Sequence, residues 1–228
     1  MAIQAVTRET APAPTRGEDT RQRLIDAALE IFAAYGFEGA STRMLADRAG
    51  ANLAAIPYHF GSKEGLYLAA ARSIVEAAEI ELLPLIDKIE QTLEHRKLSG
   101  EAAMVLLHEL LERFSGLVIG SPKADSWSRF VMREQLQPGA AFEIIFEGVM
   151  RKVTRAFTKL LAIRMKRPQS DSRVAVRVQT ILGEILVFHC SGTAALRLLG
   201  WKEFSLPRLK FIQSILRENV DRIVAAAK

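Results

Sequence analysis

Cysteine is nearly absent from this 228-residue sequence: Cys190 stands alone. One cysteine cannot close an intrachain disulfide, so a packed core must hold the fold, and the composition suits a reducing cytoplasm. A clean apolar run long enough to span a bilayer is also missing. The nearest candidate, Ile181 to Leu199, is interrupted by Glu184, His189 and Arg197 and reads as a buried helix, so no membrane contact is expected. The first residues are rich in Ala, Pro and Thr and lack the apolar segment of a signal peptide. Met1 to Glu18 therefore reads as a disordered tail. There is no serine–histidine–aspartate order, no carboxylate pair in a plausible cleft and no phosphate-cradling glycine loop, so enzymatic chemistry has no support. His108, and His189 with Cys190, lack a companion at metal-ligand spacing, so neither metal nor cofactor is expected.

What is present is apolar and helical. Hydrophobic residues make up 49% of the chain, ample for a buried core. The net charge of +5 is unevenly spread: −1 over residues 1–19, 0 over 20–67, −5 over 68–150 and +11 over 151–228. Arg151 to Arg173 alone carries eight basic residues and one acid. Glu147, four residues before Arg151, favours a solvated helix face for this run, with an anionic effector or a membrane surface as its functional rival.

Helical periodicity runs through most of the sequence, and strand-like alternation and internal repeats are lacking. Leu24, Ala28, Ile31, Phe32 and Tyr35 form one stripe, with Asp19 and Thr20 as candidate N-caps and Gly36 as the stop. Ser41 caps a short helix over Thr42–Ala49, Gly50 makes a turn, and Asn52 caps a second short helix. Ser62 opens a longer one toward Pro84, which should kink or end it. Further helices are expected at 100–119, 125–136, 140–165, 170–199 and 205–226, separated by Ser, Gly and Pro. The expectation is an all-α protein with a helix-turn-helix domain over 19–67 and a larger helical domain over 68–228.

The stretch TRQRLIDAALEIFAAYGFEGASTRMLADRAGANLAAIPYHFGSKEGLYLAA resembles the DNA-binding domain of the TetR/AcrR family of transcriptional regulators. The resemblance covers about residues 20–70. It rests on Ala28 to Phe32, Gly36-Phe37, Ser41-Thr42, Ala49-Gly50, Tyr58-His59-Phe60 and Lys63-Glu64 with Leu66. It implies a homodimer on a palindromic double-stranded DNA operator, most often as a ligand-responsive repressor, with an activator, or a regulator without a small-molecule effector, as the alternative.

The residue chemistry agrees. Ala54 and Ala55 give the second helix a low profile that lets its backbone approach base edges. Ser41, Thr42, Arg43, Asn52 and Lys63 lie at expected helix N-termini, where free N–H groups attract phosphate. Tyr58 and His59 each offer a hydrogen bond. Phe60 is expected in the core and Tyr58 at DNA, since positions two apart on a helix face differently. Leu53, exposed by this register, is either a groove contact or simply solvated. Many relatives carry a DNA-touching aromatic residue at the Pro57 position; here that burden falls on Tyr58, His59 and the Ala54-Ala55 face. With Asn52 as cap, Pro57 lies just past the first turn and forfeits a bond to the Leu53 carbonyl, so the helix should bend or tighten after Ile56.

The segment GEILVFHCSGTAALRLLGW, Gly183 to Trp201, is similar to the C-terminal domain of the CecR-like subgroup of that family. The resemblance implies that this domain binds a small effector and carries the dimer interface. The helices at 170–199 and 205–226 are expected to form a four-helix bundle across a two-fold axis, with Leu209, Ile212, Ile215, Leu216, Val220 and Ile223 as the stripe of the second. Met104, His108, Phe114, Trp127, Phe130, Met132, Phe146 and His189 are candidates for the effector pocket. Each has plain core packing as its alternative.

Overall fold

The computed structural model describes residues 16–95, 97–121 and 123–225, apart from the side chains of Arg16 and His189. Eleven α-helices and one π-helical turn make up the described residues: α1 (Arg16–Gly39), α2 (Thr42–Ala49), α3 (Ala55–Phe60), α4 (Lys63–His95), α5 (Gly100–Gly120), α6 (Ala124–Leu136), α7 (Ala140–Ile145), the π turn (Phe146–Met150), α8 (Arg151–Met165), α9 (Ser172–Cys190), α10 (Gly192–Leu199) and α11 (Leu206–Ala225). The all-α expectation holds. Local chemistry sets several of the ends. Ser41 and Ser99 accept from the backbone N–H of Met44 and Ala102, both at 3.1 Å, and Ser62 accepts from Gly65 at 3.0 Å. Each such cap stabilises its helix by about 1 kcal/mol.

Two cores form. One gathers α1, α2 and α3 around Leu24, Phe32, Leu45 and Ile56, and it also includes Ile74 of α4, Phe130 of α6 and Ile145 of α7. The other packs α5, α8, α9 and α11 with the C-terminal half of α4 around Leu107, Phe157, Ile185 and Leu216. The N-terminal core thus draws in helices well beyond residue 67. α4 belongs to both cores.

Several expectations need correction. α1 begins at Arg16, so Arg16 to Glu18 are helical and Asp19 and Thr20 lie inside the helix rather than capping it; residues 1–15 of the expected tail lie outside the described residues. Gly36 does interrupt α1, with φ 73° and ψ 177°. α4 runs through Pro84 to His95. Pro84 and Ile80, whose carbonyl loses its usual donor, both lie on the exposed side, while Leu82, Leu85 and Ile86 anchor the inner face. The run 140–165 contains a π turn, and 170–199 is two helices meeting at 72°. Ser191 leaves helical geometry there, at φ −115° and ψ 24°. No single helix among the described residues is long and apolar enough to cross a membrane.

Half of the basic run is paired with acids inside the fold. Lys152 reaches Glu79 at 2.8 Å and Lys159 pairs with Glu90, both on α4, while Arg151 pairs with Glu147 and Arg167 with Asp171. It is a helix face turned in part to α4, with Arg155, Lys166 and Arg173 exposed.

The π turn sits where it must be thin. A Cβ on Gly148 would lie 2.5 Å from Cγ1 and 2.8 Å from Cγ2 of Val75 on α4. Val75 is stiff at χ1 and buried, so it cannot swing aside. Gly148→Ala is expected to destabilise the protein by about 1–2 kcal/mol in denaturant unfolding. Adding Val75→Ala should recover part of that loss; no recovery would place the strain elsewhere.

Candidate nucleic-acid interface and an internal cavity

The turn between α2 and α3 is built by glycine and clamped by arginine. Gly50 takes the left-handed conformation, φ 57° and ψ 40°, and the N–H of Ala51 donates to Ala46 at 3.0 Å, closing the C-terminus of α2. From α1, Arg23 Nη1 donates to the carbonyls of Ala49 at 2.9 Å and Gly50 at 3.1 Å. The same guanidinium is held by Asp19 at 3.1 Å. Sequence reading missed Arg23, because its only local signal is an ordinary i,i+4 pair with Asp19 and its turn contacts are 26 and 27 residues away.

α3 starts later than its cap suggested. Asn52 Oδ1 accepts from the Ala54 N–H at 2.9 Å, making a turn, and the helix itself begins at Ala55. Pro57 therefore lies in the first turn, where its missing N–H would have had no intrahelical partner. The Leu53 carbonyl is taken instead by the Ile56 N–H at 3.3 Å. Hence the proline costs little. Ile56 points into the core and Phe60 packs partly against it, whereas Asn52, Leu53, Ala54, Pro57 and Tyr58 are exposed. Tyr58 is 83% exposed. Ala55 is half-buried against the core, so the small outer face is Ala54 alone.

The remaining site candidates surround this face. Ser41 and Arg43 are exposed and Thr42 half-buried at the start of α2. Arg43 lies 4.0 Å from Asp47, a weak exposed pair. His59 is half-buried with its ring edge-on to Tyr58 at 4.8 Å. Lys63 is not a free charge, since its Nζ lies 4.4 Å from the Phe37 ring centroid. Two acids of α1 are paired with bases: Glu30 with Arg48 at 2.5 Å and Asp26 with Lys123 at 2.6 Å.

A cavity of 390 Å³ lies in the larger helical domain. Phe114, Trp127, Met132 and Phe146 of the sequence candidates line it, together with Phe142, Val149 and Met150. The other candidates sit apart. Phe130 faces the opposite side of α6 in the N-terminal core, and Met104 packs on the C-terminal one. His108 joins α5 to α11 through Asp221 at 2.9 Å, and the His189 side chain lies outside the described residues. Among the described residues no group of three or more His, Cys, Asp or Glu is placed to hold a metal ion.

α6 connects the two sites. Its outer turns reach the N-terminal domain through Phe130, whose ring lies 5.1 Å from that of Tyr67, and through Glu134, which accepts from the Tyr67 hydroxyl. Burial, then the hydrogen bond to Glu134 and its charge, push the Tyr67 phenol up, so it remains a protonated donor. The Arg133 guanidinium covers Gly36, where a Cβ would come within 2.3 Å of it.

A helix-turn-helix on supporting helices, joined by a long helix to an apolar domain that encloses a cavity, defines a two-domain DNA-binding regulator. Comparison with known proteins fixes the family. Residues 24–70 match the bacterial regulatory proteins of the tetR family, and residues 103–227 match the C-terminal domain of the HTH-type transcriptional dual regulator CecR. The chain is 32% identical over 214 residues to the HTH-type transcriptional dual regulator CecR of Shigella flexneri, an alignment covering 93% of this chain and 95% of that protein. Over 54 residues it is 44% identical to the transcriptional repressor AcnR of Corynebacterium glutamicum, covering 24% and 29% of the two chains. The crystal structure of Mycobacterium smegmatis AmtR shares the fold, with a TM-score of 0.60 at 16% identity over 95% of this chain and 89% of that one. The chain belongs to the TetR family of DNA-binding transcriptional regulators, a non-enzymatic family, and has a CecR-type C-terminal domain.

Arg23→Ala removes two charge-assisted bonds and leaves two turn carbonyls without their donor. The expected loss is about 1–2 kcal/mol in denaturant unfolding. Arg23→Lys, a point charge without the planar fork, should recover only part of it. Equal stability of all three proteins would show that the turn does not depend on the clamp.

Proposed function

We propose that this regulator is a cytoplasmic repressor that binds a palindromic operator as a homodimer and releases it when a small effector fills the cavity. The observation that carries this reading is the double use of α6. Trp127, Val131 and Met132 line the cavity, while Phe130, Arg133 and Glu134 of the same helix pack on α1 and α4 of the DNA-binding domain. An effector that prefers one position of α6 shifts the spacing of the two recognition helices, and by linkage DNA lowers effector affinity by the same factor.

In this reading Tyr58, Leu53, Ala54 and Pro57 enter the major groove, with Asn52 and His59 beside them. Ser41, Thr42, Arg43 and Lys63 hold phosphates. Lys63 serves from the N-terminus of α4, its charge steadied over Phe37. A second reading, activation at some promoters, is favoured by the dual-regulator description of the Shigella flexneri relative. Transcription reactions on templates carrying each bound site separate the two.

We put the dimer face on the apolar surface that α9 and α11 leave uncovered. Leu209, Ile212, Leu216 and Val220 of the expected α11 stripe are buried in the protomer's own core. A different set is uncovered: Val187, Leu199, Phe211 and Ile215 flank an apolar groove between α9 and α11. The groove and the open surface over Gly183, where a Cβ would meet nothing within 4 Å, fit a second copy of these helices.

Two measurements test this. Tyr58→Ala should weaken binding to an operator selected from random DNA about tenfold, with an unchanged thermal transition because the side chain is exposed; full affinity would move the groove contact elsewhere. Ile215→Glu should give a monomer by light scattering and abolish operator binding. A dimer that persists would assign the interface to another face.

A further inference from the structure

Two arginines in the second turn of α1 have different fates. Arg23 is committed to the protein itself, donating to the carbonyls of Ala49 and Gly50 and pairing with Asp19. Arg21 is exposed, and its guanidinium carbon lies 5.5 Å from the centroid of the Phe60 ring. We propose that Arg21 is a further contact of this regulator with a DNA phosphate, and that Phe60 is the positioning residue that presents it. The proposal rests on the reading that α3 enters the major groove.

The geometry supplies each part. Phe60 ends α3, directly after Tyr58 and His59, and its ring is held in place by partial burial against the N-terminal core. A guanidinium over a ring is restrained by the attraction of the ring face, which leaves its N–H groups for an oxygen acceptor. Arg21 therefore stands beside the C-terminal end of the helix whose exposed face is Leu53, Ala54, Pro57 and Tyr58. A cation flanking a helix in the major groove meets the phosphates that border that groove. Lys63 repeats the device from α4, with its Nζ 4.4 Å from the ring centroid of Phe37 on α1.

Charge makes this placement matter. Residues 20–67 sum to zero, so the pull on DNA depends on where single cations stand. The charge of Asp19 is met by Arg23. Glu18, three residues before Arg21, is an exposed carboxylate whose hold on it solvent weakens, so it competes poorly with a phosphate. The match to the tetR family model begins at residue 24, so Arg21 lies outside it.

The test measures affinity against salt concentration for the full chain, on an operator selected from random DNA and on a scrambled duplex of equal length. Each phosphate neutralised releases about 0.9 of a counterion, worth about eightfold in affinity at 0.1 M salt. With two copies of Arg21 in a homodimer, Arg21→Gln should weaken operator binding at least about tenfold. It should also lower the slope of log affinity against log salt by about 2. Scrambled DNA should lose affinity in the same proportion, because a phosphate carries no sequence information. Arg21→Lys should keep the slope. In Phe60→Leu the loss caused by Arg21→Gln should shrink about two- to fivefold. An undiminished loss would remove Phe60 from the proposal. Should Phe60→Leu fail to fold, the Arg21 variants still decide. An unchanged slope, or a loss confined to the operator, would overturn the proposal and leave Arg21 a brace for α3. Tyr58→Ala is titrated alongside. If it weakens operator binding while Arg21→Gln does not, this proposal alone falls. If neither has an effect, the groove assignment of α3 falls with it.

Discussion

α6 packs on both domains at once, and the relation between them depends on that. One side of a thirteen-residue helix walls the cavity, and the other carries Phe130 and Glu134 into the N-terminal core. Phe130 is 2% exposed and Glu134 5%. A close-packed interior does not absorb a displaced helix gradually, because a gap of even a fraction of an ångström forfeits much of the contact energy. Movement of α6 must therefore be shared with α1 or α4. The carboxylate of Glu134 sharpens this: its Oε2 is buried without a partner and its Oε1 depends on Tyr67, so separation would strand a buried polar group.

α4 is the second element common to both domains, and its continuity decides what it can transmit. A helix broken at Pro84 would uncouple the DNA-binding domain from the distal core. The chain keeps it whole by placing the proline on the exposed side, with Leu82, Leu85 and Ile86 buried around it. Nearer the DNA-binding domain, Val75 meets Gly148 of the π turn, whose neighbours Val149 and Met150 line the cavity. π turns inside helices recur at functional sites because the extra residue disturbs regular packing. Here the disturbance brings backbone directly onto α4. The cavity thus touches the DNA-binding domain by two routes, through α6 and through the π turn, which would reinforce each other only if both helices move together.

What was legible in the sequence is what local chemistry writes. Ser41, Gly50 and Ser62 mark their helix ends because a cap acts within three or four residues. The recognition turn and the exposure of Tyr58 followed from the same short range. Tertiary partners were not legible. Asn52 was mistaken for a helix cap because an Asx turn uses the same side-chain acceptor to hold a nearby N–H. The break at Ser191 and the π turn lie in apolar stretches whose periodicity alone reads as continuous helix. His108 and Phe114 share α5, six residues apart, yet one reaches α11 and the other the cavity, a choice made by the neighbouring helices.

The charge distribution shows most directly how sequence and structure divide the work. A chain with −5 over residues 68–150 and +11 over 151–228 invites a search for external partners of opposite sign. The fold instead places part of each excess against the other, with Lys152 and Lys159 of α8 on Glu79 and Glu90 of α4. Both pairs are partly buried, so the loss of hydration offsets much of their attraction and the net energetic effect is modest. The directional effect is larger, because two pairs set turns apart along one face of each helix fix the register of α8 along α4 and discourage a slipped alternative. Register matters here more than elsewhere: sliding α8 would carry the π turn, and Gly148 with it, off Val75. The surplus of base in the last third of the chain thus helps to hold the cavity wall against the helix that leads to DNA.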